Sequence, residues 1–473
     1  MKRHLRNVFS LLLVGLLAIA MLSACGSSGG GTPAATAAPA ATAAPADTAT
    51  AAPADTSAAT AAAPASANAP AGSVTLKILS WSDGTPFQPL WADFTQANPD
   101  VKEVQWQTVD FTQYISILTT QIQSGTVPDL FSTLGLSDPQ LATLVNQNMV
   151  RPMDDLVTES DWPSVDINWF KVNNKLYASP SIFGDVEAIF YNTDIFNKYG
   201  LTLPKTWADQ DKIAQTLVQN GVAPYAVSAS DESSPQFYFY CLLACTQPDF
   251  IHGFPGNGQK LTDQAIIDTA KLLQDECKQG YFGDDYLAVD ANGSTLDLTN
   301  GKAAMKMDGE WVTSTLSALP SQNIGTYFPP DINGDFVGSG ASPSQGTNFS
   351  IYANTPNMDA SVRLVQYIMG TKVQQAFADA GSGVIYKCNA SQGVTASNPL
   401  LDTLANLDVK PAVSLVSLCG PISADGANPR NVMSAAVQDL FFNKVTPEEF
   451  AKQIDTCVDY SKIGQSPYTS SGS

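Results

Sequence analysis

Val74-Thr-Leu-Lys-Ile-Leu-Ser-Trp81 is the first segment of the chain with the pattern of a β-strand, because Val74, Leu76 and Ile78 alternate with other residues. Four more predicted elements follow: a helix over 87–94, a strand over 104–109, a helix over 111–122 and a strand over 128–131. Strands and helices that alternate with short connections predict a parallel sheet covered by helices. The fold class is therefore α/β.

The second half of the chain contains a further series of predicted elements. They are strand 186–191, a helix beginning at 207, helix 266–277, strands 303–307 and 348–353, helix 362–369 and a helix beginning at 447. Thr206 with Asp209, and Thr446 with Glu449, have the spacing of helix N-terminal capping boxes. No repeat of solenoid period is present. At 473 residues, the chain is long enough for two or three domains.

The first 24 residues have the pattern of an export signal. Three basic residues among the first six precede the apolar run Val8–Met21, which is too short to span a bilayer. The run ends at Leu22-Ser-Ala-Cys-Gly26, which resembles the cleavage box of bacterial lipoproteins, where the cysteine becomes the acylated first residue. We therefore expect residues 1–24 to be removed and Cys25 to anchor the protein to the cell membrane, on its extracytoplasmic side. A secretory signal with a chance cysteine is the alternative.

Residues 25–72 are predicted to be a disordered Ala/Thr/Pro tether. Residues 26–72 contain no aromatic residue and no Leu, Ile or Val. Such a segment cannot bury enough apolar surface to offset its ordering entropy. As a flexible coil it would span on the order of 40 Å, enough to hold a globular body near a membrane without fixing its orientation.

Charge and histidine content exclude several classes of function. The chain has 44 acidic and 24 basic residues, a formal net charge of −20, and loss of residues 1–24 removes three more positive charges. So acidic a protein lacks the clustered Lys and Arg that nucleic acids require, and no nucleic-acid partner is expected. The two histidines are His4 and His252, so the exported protein retains one, which excludes a multi-histidine metal site. A Ser–His–Asp triad would have to use His252, which we interpret as a loop residue.

The six cysteines beyond the lipidation candidate are Cys241, Cys245, Cys277, Cys388, Cys419 and Cys457. An even number in an exported chain favours disulfides. Cys241 and Cys245 have helical spacing, which is poor geometry for a bridge between them. We expect one of these two to pair with Cys277, and Cys388 to pair with Cys419. A zinc cluster is the alternative, although no Cys-x2-Cys motif is present.

Seven short stretches carry a family resemblance in the right order. They are Phe94–Pro99, Gln123–Phe131, Leu176–Pro180, Phe190–Phe196, Pro204–Trp207, Asn300–Trp311 and the region of 436–440. With them, the body from residue 73 to about 463 resembles the extracellular solute-binding proteins of ABC importers, in particular the sugar-binding, maltodextrin-type group. The export signal and lipoprotein box agree with this resemblance.

The resemblance implies a two-lobe, periplasmic-binding-protein type II fold with discontinuous lobes joined by a strand hinge. On this analogy the N-lobe is 73–184 plus 346–386, the C-lobe is 185–345 plus 387–463, and 464–473 is a flexible tail. It further implies a monomer without cofactor or metal that is not an enzyme. A sugar or oligosaccharide would close the lobes by population shift, and the permease of an ABC transporter would recognise the closed form.

The same resemblance indicates candidate ligand-binding residues. Aromatic rings cover the C–H faces of a sugar, and carboxylate, amide and guanidinium groups satisfy its hydroxyls. Trp311 follows a short strand where the family often places a stacking aromatic, and the other candidates lie after strands, near lobe crossings or on cleft-facing helices. The full set is Trp81, Asp83, Tyr114, Thr133, Glu187, Asp308, Glu310, Trp311, Asn348 and Arg430.

Three alternatives stay open at this stage. Acidic residues beside tryptophan also suit a polyamine or another cationic solute of an ABC importer. Paired acids such as Asp308 and Glu310 would suit a secreted glycoside hydrolase, although nothing places them across a scissile bond. Asp331-Ile-Asn-Gly-Asp335 has the early spacing of a calcium loop, but Ser342 occupies its twelfth position, so a turn is the preferred interpretation.

Overall fold

A computed structural model describes residues 70–230, 235–318, 323–335, 337, 342–343, 345–406 and 413–465. Cys25, the predicted signal 1–24 and nearly all of the predicted tether 25–72 and tail 464–473 lie outside these residues. Within the described part, no helix has the length and apolar character needed to cross a membrane.

The described elements alternate between strands and helices along most of the chain. The strands are β1 (Val74–Ser80), β2 (Val101–Thr108), β3 (Leu130–Ser132), β4 (Lys171–Val172), β5 (Lys175–Leu176), β6 (Phe183–Asp185), β7 (Glu187–Asn192), β8 (Ala223–Tyr225), β9 (Ala303–Gly309), β10 (Ile324–Tyr327), β11 (Ser342–Pro343), β12 (Phe349–Ile351) and β13 (Val384–Ile385). The helices are α1 (Gln88–Ala97), α2 (Phe111–Ser124), α3 (Gln140–Asn146), α4 (Ser164–Trp169), α5 (Thr193–Tyr199), α6 (Trp207–Gln219), α7 (Pro235–Thr246), α8 (Pro248–Gly253), α9 (Gln264–Lys278), α10 (Ala291–Thr299), α11 (Val312–Ala318), α12 (Met358–Ile368), α13 (Thr371–Asp379), α14 (Pro399–Asn406), α15 (Leu415–Cys419), α16 (Pro429–Phe441) and α17 (Pro447–Asp455).

The first sheet has the order β12-β3-β1-β2. The predicted parallel arrangement is confirmed for β1, which runs parallel to both β2 and β3. The fourth strand, β12, arrives from far along the chain and pairs antiparallel with β3. Leu76 and Ile78 point from β1 into a core cluster that also contains Phe94 of α1 and Leu364 of α12. We call this set of buried residues the first core.

The second sheet has the order β10-β7-β9-β8, in which β9 lies antiparallel to β7 and parallel to β8. Helix α7 packs at its centre with nearly every side chain buried, because apolar and aromatic residues surround its axis. Helices α9, α16 and α17 pack around α7. Their shared buried residues, which include Leu242, Leu273 and Phe450, form the second core.

A third sheet, β11-β6-β13, connects the two layered bodies of this two-lobe α/β fold. Three lobe crossings were predicted, at 184/185, 345/346 and 386/387. Strand β6 contains the first of them, and β11 and β13 each end within two residues of the second and third. Residues from 387 onward were predicted to belong to the C-lobe. Cys388 and Val394 instead pack against the first core. The described residues of Ala65–Ser473 form a single compact unit by contact.

Both pairs predicted as capping boxes lie at helix starts, and the pair Thr446 and Glu449 forms the full box. The hydroxyl of Thr206 accepts a hydrogen bond from the Asp209 backbone N–H at 3.3 Å, directly before α6. Before α17, the Thr446 hydroxyl accepts from Glu449 N–H and the Glu449 carboxylate accepts from Thr446 N–H. These reciprocal bonds satisfy donors that the first helical turn leaves without partners.

The predicted disulfides are absent from the described structure, in which Cys241, Cys245, Cys277, Cys388, Cys419 and Cys457 are all free thiols. Pairing of Cys388 with Cys419 is wrong for this structure, because Cys388 packs on the first core and Cys419 is buried in the second. The sulfurs of Cys241 and Cys245 lie 3.8 Å apart on successive turns of α7, in a weak hydrogen bond and without a disulfide. Free cysteine packs as a small apolar side chain, so an even count did not require bridges.

A buried carboxyl group between α7 and α9 makes stability depend on pH. Burial raises the pKa of Glu276 to about 8, although the Tyr238 hydroxyl donates to its carboxyl at 2.9 Å. Between about pH 4.5 and 8 the folded protein therefore keeps a proton that the unfolded chain has released. The free energy of unfolding should fall as pH rises through this range, by up to about 1.4 kcal/mol per pH unit, and Glu276 should contribute no pH dependence below it.

The substitution Glu276→Gln is expected to remove this slope while retaining an acceptor for Tyr238. Urea unfolding at several pH values measures how the free energy of unfolding changes with pH. Glu448→Gln is the matched control, because Glu448 is exposed. Parallel pH profiles for the wild type and Glu276→Gln would contradict the assignment.

Candidate functional site

A cavity of about 580 Å³ lies between the two sheets, at the carboxyl ends of β1 and β9. Its lining residues are Trp81, Ser82, Asp83, Phe111, Asp185, Glu187, Gln236, Phe237, Tyr240, Ala291, Asn292, Thr295, Asp308, Glu310, Trp311, Val312, Ser314, Thr315, Ser342, Gly346, Thr347, Gly381, Ser382, Ser414, Val416, Ser417 and Arg430. Seven of the ten predicted site residues are among them. The lining comes from both layered bodies, and the volume is in the usual range for a small-molecule site.

One wall of the cavity is built on the loop after β1. The Trp81 ring meets Phe111 edge-on, with ring centroids 5.4 Å apart, and meets Tyr114 edge-on at 4.7 Å. The next residue, Ser82, is fixed because its hydroxyl donates to Gly346 O and its carbonyl accepts from Trp106 Nε1 at 3.0 Å. The position of Trp81 is therefore fixed by the rings of Phe111 and Tyr114 and by the hydrogen bonds of the adjacent Ser82.

Asp83 lies at the rim of this wall and is exposed. Its carboxylate accepts from the backbone N–H of Thr85 at 3.0 Å and from the Thr85 hydroxyl at 2.8 Å. These bonds lower the pKa of Asp83. The carboxylate thus stays ionised at the mouth of the cavity while it stabilises a turn.

The opposite wall carries a second aromatic pair. Trp311 follows β9, is 42% exposed, and packs against Phe237 of α7 with ring centroids 5.2 Å apart. The indole folds back over Gly309, where a Cβ atom would lie only 2.1 Å from the ring. A glycine at 309 is therefore required for Trp311 to lie flat at the end of its strand.

Carboxyl groups cluster where β7 and β9 meet this wall. Glu187 pairs with Gly309 across the antiparallel strands, which places it beside Asp308 and Glu310. The Val186 N–H donates to the Glu310 carboxyl at 2.8 Å, and the Glu310 N–H donates back to Val186 O at 3.0 Å. Burial, together with the neighbouring Asp185 carboxylate, raises the pKa of Glu310 well above its usual range. Glu310 therefore releases its proton less readily than an exposed glutamate does.

Asp308 is compensated from behind by Lys306. The Lys306 ammonium, with a side chain 2% exposed, lies 2.9 Å from the Asp308 carboxylate. It also donates to the Ser294 hydroxyl at 2.6 Å, and Asp308 accepts from Gly309 N–H at 2.8 Å. A lysine buried on β9 thus fixes the orientation of a carboxylate at the cavity wall.

Arg430 joins the two walls. It occupies the first turn of α16, which begins after Asn428, and its guanidinium lies 5.2 Å from the Phe111 ring centroid. Its Nε is buried and has no hydrogen-bond partner. Burial lowers the pKa of Arg430, while Tyr240, Asp138, Glu187 and Asp185 oppose that shift. The guanidinium therefore bridges the two bodies and faces the cavity.

Helix α7 supplies lining residues that sequence analysis missed. Gln236 is 1% exposed, and its side-chain oxygen accepts from the Tyr240 hydroxyl at 3.2 Å and the Ser434 hydroxyl at 2.8 Å. Gln236 is also one of the residues that line the cavity. The signal was weak because α7 is apolar on all sides, although the run Pro-Gln-Phe-Tyr-Phe-Tyr is unusually aromatic.

The structure does not bring Tyr114, Thr133 and Asn348 into the cavity lining. Tyr114 is buried behind Trp81, and its hydroxyl donates to Ser132 O. The Thr133 hydroxyl is buried and accepts from Gly135 N–H at 3.3 Å. Asn348 is fully buried and donates to Ser179 O at 2.8 Å. All three side chains are buried, and these hydrogen bonds are to neighbours outside the cavity lining.

The calcium-like loop is a turn, as preferred from sequence. The Asp331 carboxylate accepts from the backbone N–H groups of Asn333 at 2.7 Å and Asp335 at 2.9 Å. Among the described residues, no group of three or more His, Cys, Asp or Glu is arranged to hold a metal ion. His252 is exposed on α8, away from the cavity lining.

Residues 80–375 match the family described as bacterial extracellular solute-binding protein. Among curated proteins, the chain is similar to the multiple sugar-binding protein of Streptococcus mutans. The two are 23% identical over 307 residues, which span 62% of this chain and 70% of that relative.

Solved structures share the fold at low sequence identity. A chitin oligosaccharide binding protein is 20% identical with a TM-score of 0.69, and the match covers 84% of this chain and all of that one. An ABC substrate-binding protein from Listeria monocytogenes, in complex with cycloalternan, is 16% identical with a TM-score of 0.61 and covers 81% and 96% of the two chains.

Proposed function

Because the chain belongs to the bacterial extracellular solute-binding protein family, we propose that it captures a sugar or oligosaccharide between its lobes and delivers it to the permease of an ABC importer. Relatives and structural neighbours whose names include sugars support this ligand class. The protein would bind and release the sugar unaltered, without acting as an enzyme and without a cofactor.

One observation carries the proposal: each wall of the cavity presents an aromatic pair. Trp81 with Phe111 stands on one body, and Trp311 with Phe237 on the other. Sugar rings have apolar C–H faces that stack on such rings, while their hydroxyls need polar partners. Acidic, amide and hydroxyl side chains around the four rings supply those partners.

The lining also suits a closing mechanism. Ligand that contacts both walls would stabilise the form in which they are close, so binding shifts a pre-existing equilibrium. The three-stranded sheet β11-β6-β13 passes between the bodies beside the cavity and is the proposed hinge. The permease would recognise the closed form.

The remaining features of the proposal rest on the N-terminal sequence and the family. Acylated Cys25 would anchor the protein at the outer face of the cell membrane or in the periplasm. Residues 25–72 would form the tether to a monomeric body. The proposed lobes of that body are 73–184 plus 346–386 and 185–345 plus 387–463. An acidic body is repelled by anionic lipid, so the anchor rather than the surface would hold it there.

Calorimetric titration of the mature protein with a panel of neutral mono- and oligosaccharides and with a polyamine tests the ligand class. We expect saturable binding to a member of the sugar panel, because two stacking walls suit more than one sugar ring. Binding of the polyamine together with silence across the sugars would reject the proposal in favour of a cationic solute. Turnover of a chromogenic glycoside would instead indicate a hydrolase.

A further inference from the structure

We propose that Asp138 and Asn428, together with Ser137 and Ser417, form a latch between the two bodies that stabilises the closed form and so sets how tightly the protein holds its sugar. The inference rests on the proposed function, because it concerns the same closing movement. Asp138 and Asn428 are positioning residues in this proposal, since neither is among the residues that line the cavity.

The segments that meet at the latch belong to different cores. The turn Gly135–Ser137 follows β3, and its Leu136 is part of the first core. Leu415 and Cys419 of α15 are part of the second core. Helix α15 and the turn Gly420–Ile422 that follows it pack directly on Gly135–Ser137. None of these segments belongs to β6, β11 or β13, so the two bodies also meet at a place other than the proposed hinge.

Two side-chain hydrogen bonds cross this contact. The Asn428 Nδ2 donates to the Asp138 Oδ2 at 2.8 Å, and the hydroxyl oxygens of Ser137 and Ser417 lie 3.0 Å apart. Asp138, Ser137 and Ser417 are buried. A separation of about 1 Å would take both bonds out of hydrogen-bonding range. The bonds therefore form in one relative position of the two bodies.

Both members of the charged pair are oriented within their own bodies. The Asp138 Oδ1 accepts from the Gln140 N–H at 2.7 Å, at the start of α3. The Asn428 Oδ1 caps α16 by accepting from the Arg430 N–H at 3.0 Å. Each side chain thus uses one oxygen within its own body and its other polar atom across the contact. The pair is preorganised to meet when the bodies approach.

The surroundings of Asp138 make the contact selective for matched partners. Burial raises the pKa of Asp138, whereas the Gln140 N–H, the charge of Arg430 and the Asn428 amide oppose the rise. Arg430 and Asn428 both come from α16, which packs on the second core. Separation of the bodies removes these two groups from Asp138, and a carboxylate without partners must be rehydrated. Opening is therefore coupled to the hydration of this carboxylate.

The latch acts on affinity through the population of the closed form. A sugar between the two aromatic walls binds the closed form better than the open form, and its apparent affinity falls with the fraction of molecules able to close. The latch bonds stabilise the closed form whether or not a sugar is present. Weakening them lowers the affinity for sugar while every residue of the cavity lining keeps its identity.

Asn428→Asp tests the latch, because it places a second carboxylate against Asp138 while keeping an oxygen that caps α16. By calorimetry at neutral pH, we expect the variant to bind the sugar identified from the panel at least about tenfold more weakly. Small-angle X-ray scattering should give the ligand-free variant a larger radius of gyration than the wild type. The exposed Asn197→Asp, an equal change of charge, is the control and should change neither value.

The swapped double variant, Asp138→Asn with Asn428→Asp, restores a donor opposite an acceptor and keeps both local hydrogen bonds. It should recover most of the affinity and the smaller radius. Failure of this recovery overturns the latch, because the loss would then come from the new carboxylate acting on Arg430. If Asn428→Asp alone does not fold, Ser137→Ala removes the neighbouring bond without a new charge and should weaken binding about threefold.

The outcomes separate this inference from the proposed function. Loss in Asn428→Asp with recovery in the swapped variant, in affinity or in radius of gyration, supports the latch. Unchanged affinity and radius in Asn428→Asp overturn it while sugar capture stands. A radius that responds as expected, with no sugar of the panel bound by the wild type, overturns the proposed ligand class and leaves the latch. Thermal unfolding of each variant distinguishes altered closing from misfolding.

Discussion

Lys306→Met is expected to destabilise the folded protein by about 3–5 kcal/mol, because it leaves the Asp308 carboxylate buried without its counter-charge. Lys306 and Asp308 are 2% and 6% exposed, so neither is well hydrated in the folded state. The variant also deprives the Ser294 hydroxyl of its donor. A loss of this size is a large fraction of the 5–15 kcal/mol that stabilises a typical domain.

Urea unfolding of the mature protein measures this effect as a lower midpoint. The double variant Lys306→Met with Asp308→Leu removes both charges and should recover much of the loss, because an apolar pair has no ionic desolvation cost. Lys278→Met, which breaks the exposed ion pair with Asp275, is the control and should change stability little. An unfolding midpoint unchanged by Lys306→Met would show that water reaches Asp308.

Trp311→Ala is expected to weaken binding of the cognate sugar by about 30-fold, or about 2 kcal/mol. The half-exposed indole has a limited packing role in the free protein, since it lines the cavity and otherwise contacts Phe237 and the backbone at Gly309. The lost free energy would therefore come mainly from the contact with ligand.

Calorimetry with the sugar identified from the panel measures this change, with thermal unfolding as the parallel readout. Trp162→Ala is the matched control, because Trp162 is a partly buried indole outside the cavity lining. Unchanged affinity in Trp311→Ala would show that the sugar does not stack on Trp311. Equal losses of affinity in both variants would indicate a general loss of structure.

The sequence predicted the elements whose periodicity reflects one-sided burial. Strand β1 alternates because one face packs on α1 and α12, and α9 has a clear apolar stripe facing α7. Helix α7 escaped prediction because burial on all sides erases periodicity. The residues that it places in the cavity, Gln236 and Phe237, were missed with it.

The predicted residues that line the cavity include several that directly follow strands. Trp81 and Trp311 line the cavity because each follows a strand that ends at it. Tyr114 and Asn348 lie outside the lining, because sequence does not give the depth at which a residue is buried. Ser414 and Ser417 come from the far end of the chain, and no local pattern in the sequence indicates that they line the same cavity as Trp81.

Gly420 shows how closely the two bodies meet beside the site. A Cβ atom there would lie 2.2 Å from the carbonyl oxygen of Leu136, a backbone atom that cannot rotate away. Nearby, the hydroxyls of Ser137 and Ser417 lie 3.0 Å apart. The two backbone segments are in direct contact because residue 420 has no side chain, and any side chain there would clash with Leu136. A larger residue at 420 is therefore expected to push these two backbone segments apart without altering a residue of the cavity lining.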